Sequence, residues 1–123
     1  MKKLLLILTL SLVVPSLAFA KCDGGREITG KNGHSYCISK KGMNWWSAVT
    51  WCEANERSLA TMQQACDNPS PLTCLNLSVD INKGAWTSTV STKAAGAAGR
   101  IYMTTGIVAT SKLNYAGNIA LCY

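Results

Sequence analysis

The chain opens with an apolar stretch, residues 4–14, that follows two lysines and ends before Pro15. Small residues, Ala18 and Ala20, stand at the −3 and −1 positions of a cleavage site. A basic start, an apolar run and this small-residue pair are typical of a secretory signal peptide, so we expect residues 1–20 to be removed on export. A membrane-spanning anchor is the alternative, but the run falls short of the about 20 apolar residues that cross a bilayer.

A hairpin is predicted at the start of the remaining chain. Two short β-prone runs within residues 26–39 flank the segment Lys31-Asn32-Gly33. Asn-Gly between such runs is a strong β-hairpin signal. Cys22 and Cys37 lie at the two ends of this unit, where a disulfide bond would close it.

Apolar positions with helical spacing follow. Residues 44–55 place one apolar side chain at each of i, i+3, i+4 and i+7, and these are Trp45, Ala48, Val49 and Cys52. This spacing predicts a helix with Asn44 as its N-cap, because a short polar side chain there accepts a hydrogen bond from the first turn. Trp46 and Trp51 fall on opposite flanks of the apolar face, either at the edge of the core or exposed.

A second, shorter helix is predicted from residue 62 to about residue 66, capped by Thr61. The next segment, residues 67–73, contains two prolines and is interpreted as a loop. Cys66 and Cys74 bracket this loop, which favours a local disulfide bond.

From Gly84 onward the apolar positions fall into short β-prone runs separated by small or polar residues. We predict a turn over the Ala-Gly segment 94–99 and a polar loop over residues 112–117. Four strands are predicted, at residues 85–90, 100–104, 106–110 and 118–122. The order of hairpin, helix, short helix and strands indicates an α+β fold.

Cysteine usage strengthens the prediction of export. Of the 123 residues, 20 belong to the expected signal, which leaves 103 residues, 21–123, the size of one domain, with all six cysteines among them. An even number of cysteines in a small exported protein predicts a disulfide framework. A zinc site is disfavoured, because the sequence has no Cys-x-x-Cys pair and a single histidine, His34.

Charge excludes some partners. Removal of Lys2 and Lys3 lowers the formal net charge from +6 to +4, and Lys40 and Lys41 are the only adjacent pair among the remaining basic residues. Nucleic-acid binding usually needs a clustered basic stripe, so we expect no nucleic-acid partner. We also expect no membrane insertion once the signal is cleaved, and a location in the periplasm, at the cell surface or outside the cell.

Several stretches of the mature chain, in order, resemble successive parts of the C-type lectin-like domain. They are the W-x-x-A-x-x-x-C pattern of its first helix (Trp45, Ala48, Cys52), the short step after that helix (Leu59, Ala60), its central aromatic strand (85–88), and its closing strand (120–122). The resemblance covers residues 22–123 and is closest to compact bacterial proteins of this type.

The resemblance implies a C-type lectin-like fold, with an N-terminal β-hairpin and one main helix plus one short helix packed on a small antiparallel sheet. It implies a disulfide bond from the main helix to the closing strand, Cys52–Cys122. Six cysteines allow 15 pairings. This implied bond, together with the two locally bracketed pairs, Cys22–Cys37 and Cys66–Cys74, selects one of them.

The chain departs from the calcium-dependent sugar binders of that family. The Glu-Pro-Asn or Gln-Pro-Asp motif and the later Trp-Asn-Asp motif are missing. The long loop that bears them is reduced to residues 91–99, which contain no carboxylate. Calcium takes six to eight oxygen ligands, and Asp67 and Asp80 are isolated, so we expect no metal and no cofactor.

Catalytic residues are not evident in the sequence, and we expect no enzymatic activity. His34 lies beside the hairpin turn, where an exposed residue is the simplest interpretation. Glu53 and Glu56 lie at a helix end with Arg57 nearby, which is typical of a solvated helix terminus.

The predicted function is a secreted or cell-surface recognition module that binds a protein or glycan partner without calcium. One alternative is a structural subunit or tip of a bacterial surface appendage. A small secreted enzyme is a more remote one.

A contact surface is predicted on the later strands, which the shortened loop would leave uncovered. Alternation assigns Ile101, Met103, Ile107 and Ala109 to one side and Tyr102, Thr104 and Val108 to the other. The candidate partner-binding residues are Arg100, Tyr102 and Tyr115, with Lys112 at the rim. The alternative is that Tyr102 is buried beneath residues 111–117.

Overall fold

The computed structural model describes residues 20–69 and 71–123, so the predicted signal peptide lies outside the described residues except for Ala20. The described part forms an α+β fold with two α-helices, one 3-10 helix and six strands. In chain order they are β1 Gly25–Thr29, β2 Ser35–Ser39, α1 Trp45–Ala54, α2 Met62–Cys66, a 3-10 helix Leu75–Leu77, β3 Gly84–Val90, β4 Ala97–Tyr102, β5 Val108–Lys112 and β6 Ile119–Cys122. Across these same residues, no helix is long and apolar enough to cross a membrane.

The N-terminal hairpin is confirmed. Strands β1 and β2 pair antiparallel, with Ile28 opposite Tyr36. Gly33 in the connecting turn has φ +85°, a left-handed conformation that glycine adopts without steric cost. The Asn-Gly signal therefore predicted this turn correctly.

Helix α1 begins and ends close to its predicted bounds. The Asn44 side chain accepts a hydrogen bond from the backbone N–H of Ser47 at 2.8 Å, which caps the first turn. Ala48 and Cys52 are buried, and the predicted neighbours on that face, Trp45 and Val49, pack against the same cluster.

Helix α2 is also confirmed, and its capping explains why so short a helix forms. The Thr61 hydroxyl accepts a hydrogen bond from the Gln64 backbone N–H at 3.0 Å, and the Gln64 side chain accepts one from the Thr61 backbone N–H at 2.9 Å. This reciprocal capping box satisfies two donors that the helix itself leaves free.

The six strands form one mixed sheet in the order β1-β2-β6-β3-β4-β5. Adjacent strands are antiparallel except β3 and β6, which are parallel, with Ala85 opposite Ile119. The expectation of a purely antiparallel sheet is therefore wrong at this pair. Strand β6 can run parallel to β3 because residues 113–118, which connect β5 to β6, cross back to the end of the sheet at which β3 begins.

This crossover, residues 113–118, returns the chain from the end of β5 to the start of β3. At one end the backbone N–H of Leu113 donates to the carbonyl of Gly96 at 2.9 Å. At the other end Asn118 lies beside Gly84, and its carbonyl accepts from the Met43 backbone N–H at 2.8 Å. Strand β6 therefore enters the sheet from the same end as β3.

The core has two layers, one on each face of the sheet. In β6, Ile119 and Leu121 contribute to one cluster, and Ala120 and Cys122 to the other. Because successive side chains of a strand point to opposite faces, the two clusters lie on opposite sides. We call these sides the α1 face, which also holds Trp86, and the α2 face, which holds residues of α2 and the 3-10 helix.

Strand β4 begins earlier than predicted, because residues 97–99 belong to it and not to the turn. Ala97 and Ala98 are buried between β3 and β5. A Cβ on Gly99 would lie 2.7 Å from the Met62 side chain, so the strand needs small residues at this point. Small residues that look like a turn in the sequence here allow close packing.

The predicted sides of β5 are wrong. Val108 lies opposite Ile101 and packs against the α2-face core. Ile107 is 56% exposed, and Ala109 lies opposite Arg100. Residues directly opposite in an antiparallel pair share a side, so Val108 belongs with Ile101 and the other two do not.

The turn between β4 and β5 causes this difference. The backbone N–H of Gly106 donates to the Tyr102 carbonyl at 2.7 Å, and the Tyr102 N–H donates to the Ile107 carbonyl at 2.8 Å. Gly106 has φ +74°, which the turn requires. Strand β4 therefore ends at Tyr102, and β5 begins at Val108. Because the turn sets the register, it places every side chain of β5 on the face opposite to the one predicted.

All three predicted disulfide bonds are present, and they are Cys22–Cys37, Cys52–Cys122 and Cys66–Cys74. The first closes the hairpin, the second joins α1 to β6, and the third closes the loop after α2. Together they use every cysteine of the sequence.

Candidate binding site on the β4–β5 face

The candidate site lies on the part of the α1 face that the helix does not occupy. Helix α1 packs against β6 and β3. Beyond it on the same face, Arg100 in β4 lies opposite Trp86 in β3 and Ala109 in β5. The short connection between β3 and β4, residues 91–96, leaves this region open.

Two adjacent depressions share Arg100. The first, here called the Tyr115 depression, has a volume of about 430 Å³ and is lined by Arg100, Ser111, Lys112, Asn114 and Tyr115. The second, the Tyr102 depression, has about 290 Å³ and is lined by Arg100, Tyr102, Thr105, Ile107 and Ala109. The structure thus brings three of the four candidate residues into one depression and places the fourth, Tyr102, in its neighbour.

The crossover 113–118 forms one wall of the Tyr115 depression. Its start is held by Leu113, whose side chain packs against the α1-face core. The Tyr115 side chain is 51% exposed. A Cβ on Gly117 would collide with the Tyr115 ring, so the absence of a side chain at Gly117 allows the ring to fold back along the crossover.

Arg100 carries a donor that no described residue accepts from. Its Nε atom is buried without a hydrogen-bond partner. Within residues 20–69 and 71–123 the sole salt bridge joins Arg57 to Glu27, at 2.9 Å. Arg100 and Lys112 are the basic residues that line the Tyr115 depression, and no carboxylate lines it.

Asn118 adds a second unsatisfied group next to Arg100. The residue is 1% exposed, and neither its amide nitrogen nor its amide oxygen has a partner. A Cβ on Gly84 would lie 2.5 Å from Asn118 Oδ1 and 3.2 Å from Arg100 Nη1, so both side chains occupy the space that glycine leaves free. Buried polar groups in native proteins are nearly always hydrogen-bonded, which makes this pair exceptional.

The sequence pattern does not single out Asn118. A polar residue at the head of the apolar segment 118–122 was the available signal. Its position beside Arg100 depends on the parallel pairing of β3 and β6, which sequence periodicity does not reveal.

Tyr102 is partly buried, and its hydroxyl donates a hydrogen bond to Asn82 Oδ1. It lines its depression with Thr105 and Ile107, whereas residues of the 111–117 segment line the other depression. This hydrogen bond therefore holds the Tyr102 side chain in place where β4 ends and the β4–β5 turn begins.

Three further surface features are present, and the second of them borders this site because it shares Ala109 with the Tyr102 depression. A groove of about 570 Å³ runs beside α1, where Trp46 is 54% exposed and Trp51 is partly buried. A depression of about 600 Å³ includes the exposed apolar side chains Leu72 and Val90. A third, of about 240 Å³, is lined by basic residues at the other end of the sheet, among them Arg26.

The residues considered for catalysis are separated from the depressions just described. His34 is exposed, and its ring centroid lies 5.7 Å from that of Tyr123. Glu53 and Glu56 are exposed at the end of α1. Arg57 pairs with Glu27 of β1 and not with these two glutamates.

Nothing in the part of the chain that the structure describes groups three or more His, Cys, Asp or Glu side chains as a metal ion would need. The chain matches no protein-family model, no curated protein and no solved structure.

Proposed function

We propose that the mature chain, residues 21–123, is an exported recognition module that binds a protein or glycan partner, without calcium, through the β4–β5 face. One observation carries the proposal. Arg100 is a partly buried cation whose Nε has no acceptor among the described residues, and it lines two adjacent open depressions. Arginine and aromatic residues dominate binding hot spots, and here Tyr102 and Tyr115 flank the arginine.

The C-type lectin-like fold is part of this proposal. The bond from the first helix to the last strand, Cys52–Cys122, supports it, as does the hairpin closed by Cys22–Cys37. Trp86, buried in the middle of the sheet, supports the match to the aromatic central strand. Fold alone does not determine function, so the argument for binding depends on the site.

Export is supported by the three disulfide bonds, since such bonds persist in oxidising compartments. The signal-peptide pattern of residues 1–20 supports the same location. Periplasm, cell surface and external medium all fit both observations.

The test is a binding screen of the mature protein against immobilised glycans and extracellular proteins, in calcium and in EDTA. We expect a ligand that binds equally in both buffers. We expect the Tyr102→Ala, Tyr115→Ala double variant to bind at least tenfold more weakly, because both rings border the site.

The matched control is Trp46→Ala, which removes an exposed aromatic ring from the α1 groove. It should bind within about twofold of the wild type, since hot spots are confined to the contact centre. Equal losses in the two variants would contradict this location. So would a double variant that binds less only because it unfolds, as seen in its melting curve.

A structural role in an assembly is the second candidate. Leu72 is 91% exposed and Val90 is 56% exposed, and both line one depression beside the edge strand β5. Exposed apolar patches next to an open strand edge are typical of association surfaces. Sedimentation velocity over a range of concentrations distinguishes the two functions, because an assembly subunit forms larger species as concentration rises and a soluble recognition module stays monomeric.

A further inference from the structure

We infer that the Tyr115 depression binds the carboxylate of an acidic sugar, with Arg100 as the residue that recognises it. This inference rests on the proposed function, because it names the ligand class of the same site. It is carried by the unsatisfied polar groups at the site and by the chemistry of the depression's lining.

Arg100 carries a positive charge that no described group of the fold balances. Its guanidinium offers five N–H donors and no acceptor. A buried or partly buried charge is costly unless it is paired. Among the described residues Arg100 forms no ion pair and its buried Nε has no acceptor, so its positive charge is not compensated within the fold.

The shape of the guanidinium favours a carboxylate as the anion. Arginine presents a planar fork of N–H donors that matches a carboxylate with two parallel hydrogen bonds. Lys112 also lines the depression, but it is exposed and lies opposite Ala97, so its side chain belongs to the other face of the sheet from Arg100. One guanidinium on the face of the depression suits a ligand with a single negative charge better than a compact dianion.

The remaining lining of the depression favours a sugar as the rest of the ligand. Apart from the two cations, the lining consists of Ser111, Asn114 and the Tyr115 side chain, which offer hydroxyl and amide groups and one aromatic face. These groups suit several hydroxyls around a small ring, and the lining contains no aliphatic side chain to receive an apolar peptide residue. A volume of about 430 Å³ is within the range of small-ligand sites and is therefore adequate for one sugar unit.

Asn118 acts as a positioning residue. Its amide oxygen and Arg100 Nη1 share the space left by Gly84, and among the described residues its amide has no partner. Its buried amide keeps this region polar and thereby allows the guanidinium to remain beside the depression.

The experiment is isothermal titration of the mature protein with four probes, namely glucuronate, glucose, inorganic phosphate and a short peptide with a free C-terminus. We expect glucuronate to bind at least tenfold more tightly than each of the other three. Arg100→Gln should weaken glucuronate binding at least tenfold. Arg26→Gln removes the same charge from the basic depression at the other end of the sheet and should change the affinity less than twofold.

A conservative variant separates geometry from charge. Arg100→Lys keeps the positive charge but loses the planar fork, so we expect it to bind glucuronate at least fivefold more weakly than the wild type. Its melting curve shows whether it is folded.

The inference is overturned if glucose or phosphate binds as well as glucuronate, if the peptide binds more tightly, or if Arg26→Gln has the larger effect. Failure of this inference and failure of the proposed function look different. If the protein binds a partner in the binding screen through Tyr102 and Tyr115 but does not prefer glucuronate, the proposed function stands and the inferred ligand is wrong. If it binds nothing in either experiment, the proposed function and the inferred ligand are both wrong.

Discussion

Two glycines determine where the side chains of the candidate site lie. Gly84 leaves the space that Arg100 and Asn118 occupy, and Gly117 leaves the space into which the Tyr115 ring folds. Neither has a left-handed backbone conformation, so both act through close packing and not through turn geometry. The site therefore depends on absent side chains as much as on the polar groups that form it.

At the residue scale, Asn118 tests whether the fold loses free energy of unfolding in order to keep a polar group beside the binding site. Its buried amide lacks partners, and an unsatisfied buried polar group costs about 1–3 kcal/mol. We expect Asn118→Leu, a substitution of similar size, to leave the free energy of unfolding unchanged or to raise it by about 1 kcal/mol. Glucuronate affinity should fall at the same time, because Arg100 loses its polar neighbour.

The measurement for Asn118→Leu is urea denaturation combined with titration of the same preparation. Asn114→Leu provides the control for the denaturation measurement alone, since Asn114 is exposed but lines the depression whose affinity is titrated. A drop of about 2 kcal/mol or more in Asn118→Leu would mean that the amide is satisfied in the native protein and would contradict its assignment as a positioning residue.

At the scale of elements, the sides of β5 control which residues reach the site. The turn at Gly106 aligns Val108 with Ile101 toward the α2 face, and it sends Ile107 and Ala109 to the side that carries Arg100. A one-residue change in this turn would reverse the two sides. The Tyr102 depression exists because the turn has this length.

We predict opposite outcomes for two neighbouring truncations in this region. Val108→Ala should lower the free energy of unfolding by about 1 kcal/mol, because its side chain packs against the core. Ile107→Ala should change it by less than about 0.5 kcal/mol, because that side chain is 56% exposed. Thermal unfolding measures the loss of stability in each variant. A larger loss for Ile107→Ala than for Val108→Ala would contradict the register of β5.

The elements that the sequence predicted well are those with local signals. Asn44 and Thr61 cap the helices that follow them, and Asn32-Gly33 produces a tight hairpin turn. The features that it missed depend on distant contacts. The parallel pairing of β6, and with it the place of Asn118 beside Arg100, follows from the path of the crossover over the sheet, which no local pattern encodes.

Arg100 shows the same difference between features with local sequence signals and features that depend on distant contacts. Its presence in a strand that the shortened loop leaves uncovered was predictable from the sequence, as was the proximity of Tyr115 and Lys112. Its lack of an acceptor was not, because that depends on which carboxylates the folded chain brings near. The sheet brings none into the depression that it lines.

At the scale of the whole molecule, the disulfide bonds join the two ends of the described fold to its centre. The bond Cys52–Cys122 spans 70 residues, and the bonds Cys22–Cys37 and Cys66–Cys74 span 15 and 8. A bond that closes a longer loop restricts the unfolded chain more strongly. Cys52 and Cys122 are also fully buried, so this bond lies within the core of the α1 face.

Removal of the long-range bond should cost the most stability. In the chain-entropy relation it contributes roughly 4.4 kcal/mol, and the two shorter bonds contribute roughly 2.6 to 3.1 kcal/mol. We expect the Cys52→Ser, Cys122→Ser pair to have the lowest melting temperature of the three paired variants. Paired replacement leaves no free thiol, and the Cys66→Ser, Cys74→Ser pair is the control. A larger loss in that control would contradict this order.

Calcium should leave the stability of the molecule unchanged. The connection between β3 and β4, residues 91–96, has no carboxylate, and a ligand that binds the native state raises the melting temperature by mass action. Melting temperatures with millimolar calcium and with EDTA should agree within about 1 °C. A rise of several degrees in calcium would require a metal site and would refute calcium-independent binding.

The most direct test of the ligand site at Arg100 is a heteronuclear NMR titration of the isotope-labelled mature protein with glucuronate. We predict that the largest shifts will occur at the Arg100 Nε–H and at the backbone amides of residues 111–115. The indole N–H of Trp46, in the groove beside α1, should not move. Largest shifts at Trp46 or Arg26, or no shifts at any concentration up to saturation of the probe, would contradict a ligand site on the β4–β5 face.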